Sequence, residues 1–314
     1  MVGTRRGRVG DALGTDQGLT PDGSFRLLRT EVAVLRAKGG HVSQDLPPDH
    51  ISKRTVVYRR PGVDAVRVRR DEPFGATESG VLAMDLYYPP DSTAAVRLPA
   101  VIIVGGFPDA GYQKAVGCVF KEMGSSTSWA RLMAASGLIA VAYTNQEPVR
   151  DSQALLEHIR RNAGALGIDE NRIGLWASSG NVPLTLWLLM QKANDCLKCA
   201  VLCYGFTLDG DESTAIAEAA RTWGFVNPCA GRSVKDVLDG AALFIARAGQ
   251  DRFPRLNEGL DRFLAGAVHS NLPVTFVNHA AAPHAFDLFD DSLKTRDIIR
   301  QILAFLRFNL LSES

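Results

Sequence analysis

A chain of 314 residues, 46% hydrophobic and 22% charged, has the balance of a globular protein and is long enough for one large core or two modest ones. No apolar run approaches the ~20 residues that span a bilayer, and the first twenty residues lack the apolar stretch of roughly 7–15 that a signal peptide needs. The expectation is therefore a cytoplasmic protein without membrane contact. The net charge of +1 conceals 14 Lys/Arg against 7 Asp/Glu in residues 1–70 and 21 against 27 thereafter. The basic residues at the front alternate with Val, Tyr and Leu, which reads as a solvated face rather than a nucleic-acid surface.

In chain order, residues 1–22 read as a flexible Gly-rich tail. Pro21-Asp22-Gly23-Ser24 then opens a helix in which Phe25, Leu28, Val32 and Leu35 recur at helical spacing until Gly39-Gly40 stop it. A linker with Pro47-Pro48 follows. Residues 1–50 thus form a basic tail and helical arm, which could cover the main domain or pack against a second subunit in a homodimer. Thr55 to Tyr58, Ala65 to Arg69 and Val81 to Tyr88 alternate between turn residues and predict an antiparallel opening meander. From Pro99 the rhythm changes to short all-apolar runs, the signature of strands buried on both faces. They lie at Pro99 to Val104, Leu138 to Tyr143, Arg172 to Ala177, Ala200 to Cys203, Ala242 to Ala246 and Pro273 to Val277.

Helical periodicity fills the gaps at Ser128 to Ser136, Ser152 to Ala163, Val182 to Lys192, Leu256 to Ala267 and Lys294 to Leu310. Strand–helix alternation means parallel pairing with right-handed crossovers, so the predicted domain, residues 51–314, is a mixed, mostly parallel sheet of about eight strands covered by helices on both faces. One connection is too long for that scheme. Residues 205–240, with helical stretches near Glu212 to Arg221 and Ser233 to Leu238, read as a small lid or pocket wall carrying Trp223 and Phe225.

Five cysteines include Cys196-x-x-Cys199, but no second His or Cys pair completes a zinc set, and the motif lies ahead of a strand rather than opening a helix. Buried thiols are the simpler reading.

The run Ile173-Gly174-Leu175-Trp176-Ala177-Ser178-Ser179-Gly180-Asn181 leads from a predicted strand into a predicted helix. A serine on such a turn is pushed out at the carboxyl edge of the sheet, provided the residues two before and two after it are small, as in G-x-S-x-G. For Ser179 these are Ala177 and Asn181; for Ser178 they are Trp176 and Gly180, and an indole would collide with the turn. Ser179 is the candidate nucleophile, with Asn181 a departure from glycine. The oxyanion amides of this arrangement come from the residue after the nucleophile, Gly180, and from the turn after the strand ending at Val104, in Gly106 or Phe107.

Asp169-Glu170-Asn171-Arg172-Ile173-Gly174-Leu175-Trp176 ahead of this turn, and Pro283-His284-Ala285-Phe286-Asp287 near the end, resemble the α/β-hydrolase serine esterases of the dienelactone-hydrolase-like group over about residues 82–310. The resemblance implies the α/β-hydrolase fold with a triad in the chain order nucleophile, acid, histidine. The acid then falls on Asp251, just past the strand Ala242 to Ala246, with Asp209 and Asp211 as competitors. The family's Pro-His-x-Phe pattern favours His284 as base over His279, which follows the same strand. Dienelactone hydrolases proper use a cysteine nucleophile, so lactone specificity is not implied for this serine chain. Val104 stands where lipase-type HGGG turns begin with His.

Tyr112, Phe206, Trp223, Phe225 and Phe286 are candidates for an apolar substrate pocket. The chain carries neither the dinucleotide nor the P-loop glycine spacing, so no cofactor or metal is expected, and the partner is a small-molecule ester. The leading expectation is a carboxylesterase-like hydrolase acting through an acyl-enzyme on short or compact acyl groups. The alternatives are a peptidase or an acetyl- or feruloyl-sugar esterase of the same fold, or a non-catalytic binding protein.

Overall fold

The computed structural model describes residues 47, 49–78, 80–93, 96–210, 213–237 and 240–311. The predicted tail, the helical arm through Leu35 and Asp211 lie outside the described residues. Among the described residues the strands are β1 (Arg67–Thr77), β2 (Gly80–Tyr88), β3 (Leu98–Ile103), β4 (Ile139–Tyr143), β5 (Ile168–Ser178), β6 (Leu197–Cys203), β7 (Ala242–Ala248) and β8 (Val274–His279). They form an eight-stranded sheet in the order β1-β2-β4-β3-β5-β6-β7-β8. β1–β2 and β2–β4 pair antiparallel, and every later pair is parallel.

The predicted three-strand opening is corrected to a hairpin. Residues 55–58 form no strand, because their amides are already taken: Val56 N–H donates to Ser128 Oγ at 3.0 Å and Val57 N–H to the Asp287 carbonyl at 2.9 Å. β1 instead runs on through Asp71-Glu72-Pro73-Phe74-Gly75, residues that read as a turn. It is an edge strand whose register shifts between Arg69 and Glu72 and again between Pro73 and Gly75. Bulges at an edge are where a strand tolerates Pro and Gly. Asp71 adopts φ 56° at the first bulge. The bulged segment is tied inward by Lys121, whose buried ammonium donates to Asp71 and to the fully buried Asp85 of β2.

Among the described residues the helices are α1 (Asp109–Val116), α2 (Gly124–Ala134), α3 (Pro148–Leu166), α4 (Val182–Leu189), α5 (Ala215–Trp223), α6 (Leu256–His269), α7 (Phe286–Phe289) and α8 (Leu293–Leu311). α1 escaped the sequence reading because its eight residues are of mixed polarity and too few to set a helical period. In α3, Leu155, Leu156, Ile159, Ala163 and Leu166 are the buried stripe that its 3.6-residue period demands. α4 is apolar all round, and it is buried almost all round. Leu155, Leu184, Leu186 and Leu260 of α3, α4 and α6 join one core against the sheet. Trp129 of α2 and Ile298, Ile302 and Leu306 of α8 join the other. The sheet is thus buried on both faces, which is why its central strands carry no alternation.

All five cysteines are free thiols, four of them buried. Cys199 sits inside β6, where burial pushes its thiol up to about 12.

Candidate active site

Ser179 follows the last residue of β5 and begins the single 3-10 turn, Ser179–Asn181, that leads into α4. Its φ is 55°, a left-handed conformation that a residue with a Cβ avoids unless the surroundings enforce it. Enforcement comes from both sides. Trp176 and Ala177 are locked in the sheet, and Asn181 and Val182 are buried at the start of α4. Ser178 keeps an extended backbone, φ −134° and ψ 153°, and its neighbour Trp176 points its indole onto Trp129 at 5.0 Å between ring centroids.

β7 and β8 deliver the other two groups to the same edge of the sheet. Asp251 lies three residues past β7 and its carboxylate is fully buried; one oxygen accepts from the Phe253 amide at 3.0 Å. His284 lies in the loop between β8 and α7 and is buried, with Tyr204 and Phe253 flanking its ring at 4.9 and 4.5 Å. Its Nδ1 is 2.5 Å from the other Asp251 oxygen, and its Nε2 is 2.9 Å from Ser179 Oγ. A buried carboxylate on Nδ1 selects the tautomer with the proton there, which leaves Nε2 as the acceptor facing the serine hydroxyl.

The competitors have other tasks. Asp209 accepts the amides of Ile216 and Ala217, both at 2.9 Å, and so satisfies the first turn of α5. His279 Nε2 lies 2.9 Å from Asp290 Oδ2, a hydrogen bond that pins the end of β8 to the entry of α8. Bonds from Thr295, Ser292 and His279 outweigh the burial of Asp290 and hold its carboxyl below the usual range.

The turn after β3 is fixed from several directions. The Gly105 carbonyl accepts from Asn145 Nδ2 at 3.2 Å, and the Gly106 carbonyl accepts from the Val226 amide at 2.9 Å. The Gly106 amide donates to Asn181 Oδ1 at 2.7 Å. Gly106, predicted as an oxyanion donor, is thereby corrected: its N–H is already spent on Asn181, and Phe107 holds the next amide in the turn. Glycine is needed at 106 for space, since a Cβ there would lie 2.8 Å from the Gly180 carbonyl oxygen and 3.0 Å from Asn181 Cα. At Gly180 a Cβ would meet the rings of Phe225 at 2.7 Å and Phe107 at 2.8 Å.

Ser179 and His284 open into a cavity of about 460 Å³. Tyr112, Phe206, Trp223 and Phe225 line it, as does Phe107. Phe286 does not. It is buried in the core behind the His284 loop, against Tyr204 at 5.3 Å and His279 at 5.7 Å, because the single turn of α7 carries it inward. The segment predicted as a lid forms one wall, with α5 followed by Phe225 stacked on Phe206 at 5.1 Å. A second, more open depression of about 810 Å³ lies beside α3 and includes none of Ser179, His284 and Asp251.

Sequence reasoning missed Asp287 and its partners. Asp287 is buried beside the cavity and accepts from Tyr204 Oη at 2.6 Å and Trp129 Nε1 at 2.7 Å. Burial raises its carboxyl, although both donors pull the other way, and burial drives the Tyr204 phenol well above its ordinary value. The only signal was its place in Pro283-His284-Ala285-Phe286-Asp287, where a carboxylate follows an apolar pair. Among the described residues no group of His, Cys, Asp and Glu is arranged to hold a metal, and no helix is long and apolar enough to cross a membrane.

No family model and no curated protein matches the chain. Solved structures do. The apo form of esterase 2 from Thermogutta terrifontis superposes with a TM-score of 0.60 at 18% identity, covering 81% of this chain and 98% of that one. The propionate-bound form of that thermophilic esterase gives 0.59 at 18% identity, with 81% and 98% covered. The form phosphorylated by paraoxon gives 0.57 at 17% identity, with 81% and 97% covered. With the strand order, the helices on both faces and the strand-to-helix turn at Ser179, these likenesses establish the α/β-hydrolase fold for this chain.

Proposed function

We propose that this chain is a serine esterase of the dienelactone-hydrolase-like group, cleaving carboxylic esters of short or compact acyl groups through an acyl-enzyme. The observation that carries the reading is the continuous hydrogen-bond chain from Ser179 Oγ through His284 to Asp251, at 2.9 and 2.5 Å, opening into an apolar cavity. In the proposed reaction His284 Nε2 takes the Ser179 proton as Oγ attacks the ester carbonyl. Asp251, already bonded to Nδ1, stabilises the imidazolium that results. The amides of Gly180 and Phe107 receive the oxyanion, His284 returns the proton to the departing alcohol, and water then repeats the sequence on the acyl-enzyme.

The solved neighbours support this chemistry: they are an esterase phosphorylated by paraoxon in one form and bound to propionate or butyrate in others. The compact-acyl preference is supported by the aromatic walls, where Phe107, Phe206, Phe225, Trp223 and Phe253 crowd the space beside Ser179.

A chromogenic ester assay tests the proposal. The parent should turn over acetyl and butyryl esters and Ser179→Ala should not, while Ser178→Ala retains activity. Full activity in Ser179→Ala would sink the mechanism. Equal turnover of long-chain and butyryl esters would remove the acyl preference alone.

A further inference from the structure

We infer that Asn181 is a positioning residue that sets the aim of the Phe107 amide through the Gly106 peptide. The inference rests on the esterase reading, and it concerns the position where this chain departs from the glycine of the G-x-S-x-G turn.

The Phe107 N–H shares a planar trans peptide unit with the Gly106 carbonyl, so the two groups point in opposite directions from one rigid plate. That plate is oriented by whatever holds Gly106. Its carbonyl takes the Val226 amide at 2.9 Å from the wall segment, and its N–H is taken by Asn181 Oδ1 at 2.7 Å. With both polar groups of Gly106 engaged, the direction of the following amide is fixed. Without Asn181, glycine's wide backbone freedom returns and the Gly106 N–H is left buried without a partner.

Asn181 can impose this because it is itself immobile. It is buried, it ends the turn that begins at Ser179, and its carbonyl accepts from Thr185 Oγ1 at 3.2 Å within α4. The two loops are also in direct contact, since the Gly180 carbonyl and Asn181 Cα fill the space where a side chain on residue 106 would stand. Asn181 therefore ties the oxyanion turn to the nucleophile turn, so that the Phe107 amide is referenced to Ser179 rather than to its own loop. Such preorganisation avoids reorienting donors as charge develops.

The experiment compares the parent, Ser179→Ala, Asn181→Ala and Asn181→Gly. Active sites are titrated with a phosphonate, kcat and KM are measured on a butyryl ester, and the inhibition constant of a trifluoromethyl ketone is determined, since that compound mimics the tetrahedral oxyanion. Deleting an oxyanion donor outright costs about 10²–10³ in kcat, so misaiming one should cost about 10–100-fold per titrated site. KM should stay within about twofold, and the ketone should weaken by the same factor as kcat. A purely structural Asn181 would lower the titratable fraction while leaving kcat per site and ketone affinity unchanged, and that result overturns the inference.

Amide exchange at Gly106 gives a readout independent of turnover. It should be slow in the parent and faster in both Asn181 variants. Unchanged exchange overturns the clamp. If the parent hydrolyses no ester, the esterase reading fails, and the exchange comparison still decides whether Asn181 holds Gly106.

Discussion

Replacing Gly106 with alanine tests the contact between the turn after β3 and the Ser179–Asn181 turn, the proposed oxyanion and nucleophile turns. The added Cβ would stand 2.8 Å from the Gly180 carbonyl oxygen, whereas ordinary carbon–oxygen contacts begin at about 3.3 Å. The two turns must therefore part by about 0.5 Å. Both opposing atoms are backbone, so no side chain can swing away to relieve the clash. Overpacking of this kind costs about 1–3 kcal/mol. The entropy that alanine removes from the unfolded chain returns about 0.4–1 kcal/mol. The net loss is about 1 kcal/mol, which lowers Tm by about 2–4 °C.

The catalytic effect should be larger than the stability effect suggests. A displacement of about 1 Å can cost about 10²-fold, so half of that predicts about tenfold in kcat. The assay pairs thermal unfolding with butyryl-ester turnover per titrated site, with Gly210→Ala as control because a Cβ there meets nothing within 4 Å. If Gly106→Ala keeps kcat within twofold of the parent and melts no lower than the control, the close approach of the two turns has no catalytic importance.

Asp251→Asn should lower kcat by about 10³–10⁴ with little loss of stability, because an amide can no longer select the Nδ1–H tautomer of His284; a larger kinetic effect from Asp209→Asn would reassign the acid. Asp287 carries a carboxyl raised by burial, so it stabilises the fold below the ordinary carboxylate pKa of about 3.9 and loses that contribution as pH rises through its folded value. Asp287→Asn should therefore gain on the parent as pH rises from about 4 to 8 in chemical denaturation, and a pH-independent difference would contradict this. Trp223→Ala removes an indole that packs on Phe253 at 5.1 Å beside the cavity, and should raise kcat/KM for longer acyl chains relative to butyryl. An unchanged chain-length profile would exclude Trp223 from acyl selection.

The central strands were legible because a strand buried on both faces is a continuous apolar run, and five such runs became β3 to β7 within a few residues; the run Pro273 to Val277 became β8, an edge strand whose Thr275 and Phe276 are exposed. The opening hairpin was not legible in the same way. Pro73 and Gly75 are turn residues by propensity, and only their place on an unpaired edge, where a missing donor harms no ladder, lets β1 continue through them. Asn181 stood out in the sequence as an irregular residue in the turn, yet its bond to Gly106, 75 residues away, was invisible. Phe286 shows the reverse error. An aromatic two residues past His284 reads as pocket lining, but α7 turns it into the core.

What the sequence by itself determined is which residues stand past the strand ends. Strand periods place Gly106-Phe107, Ser179, Asp251 and His284 beyond the strands that became β3, β5, β7 and β8, and parallel pairing brings those ends to one edge of a sheet. What only the tertiary structure decided is which polar group answers which. His284 rather than His279 meets Ser179, Asp209 is claimed by α5, and the Gly106 amide is claimed by Asn181. The physical reason lies in the range of the forces. Hydrophobic burial is written in local periodicity and can be read from neighbours in the chain. A hydrogen bond requires about 3 Å and the right direction between residues far apart, and only the packed chain sets both.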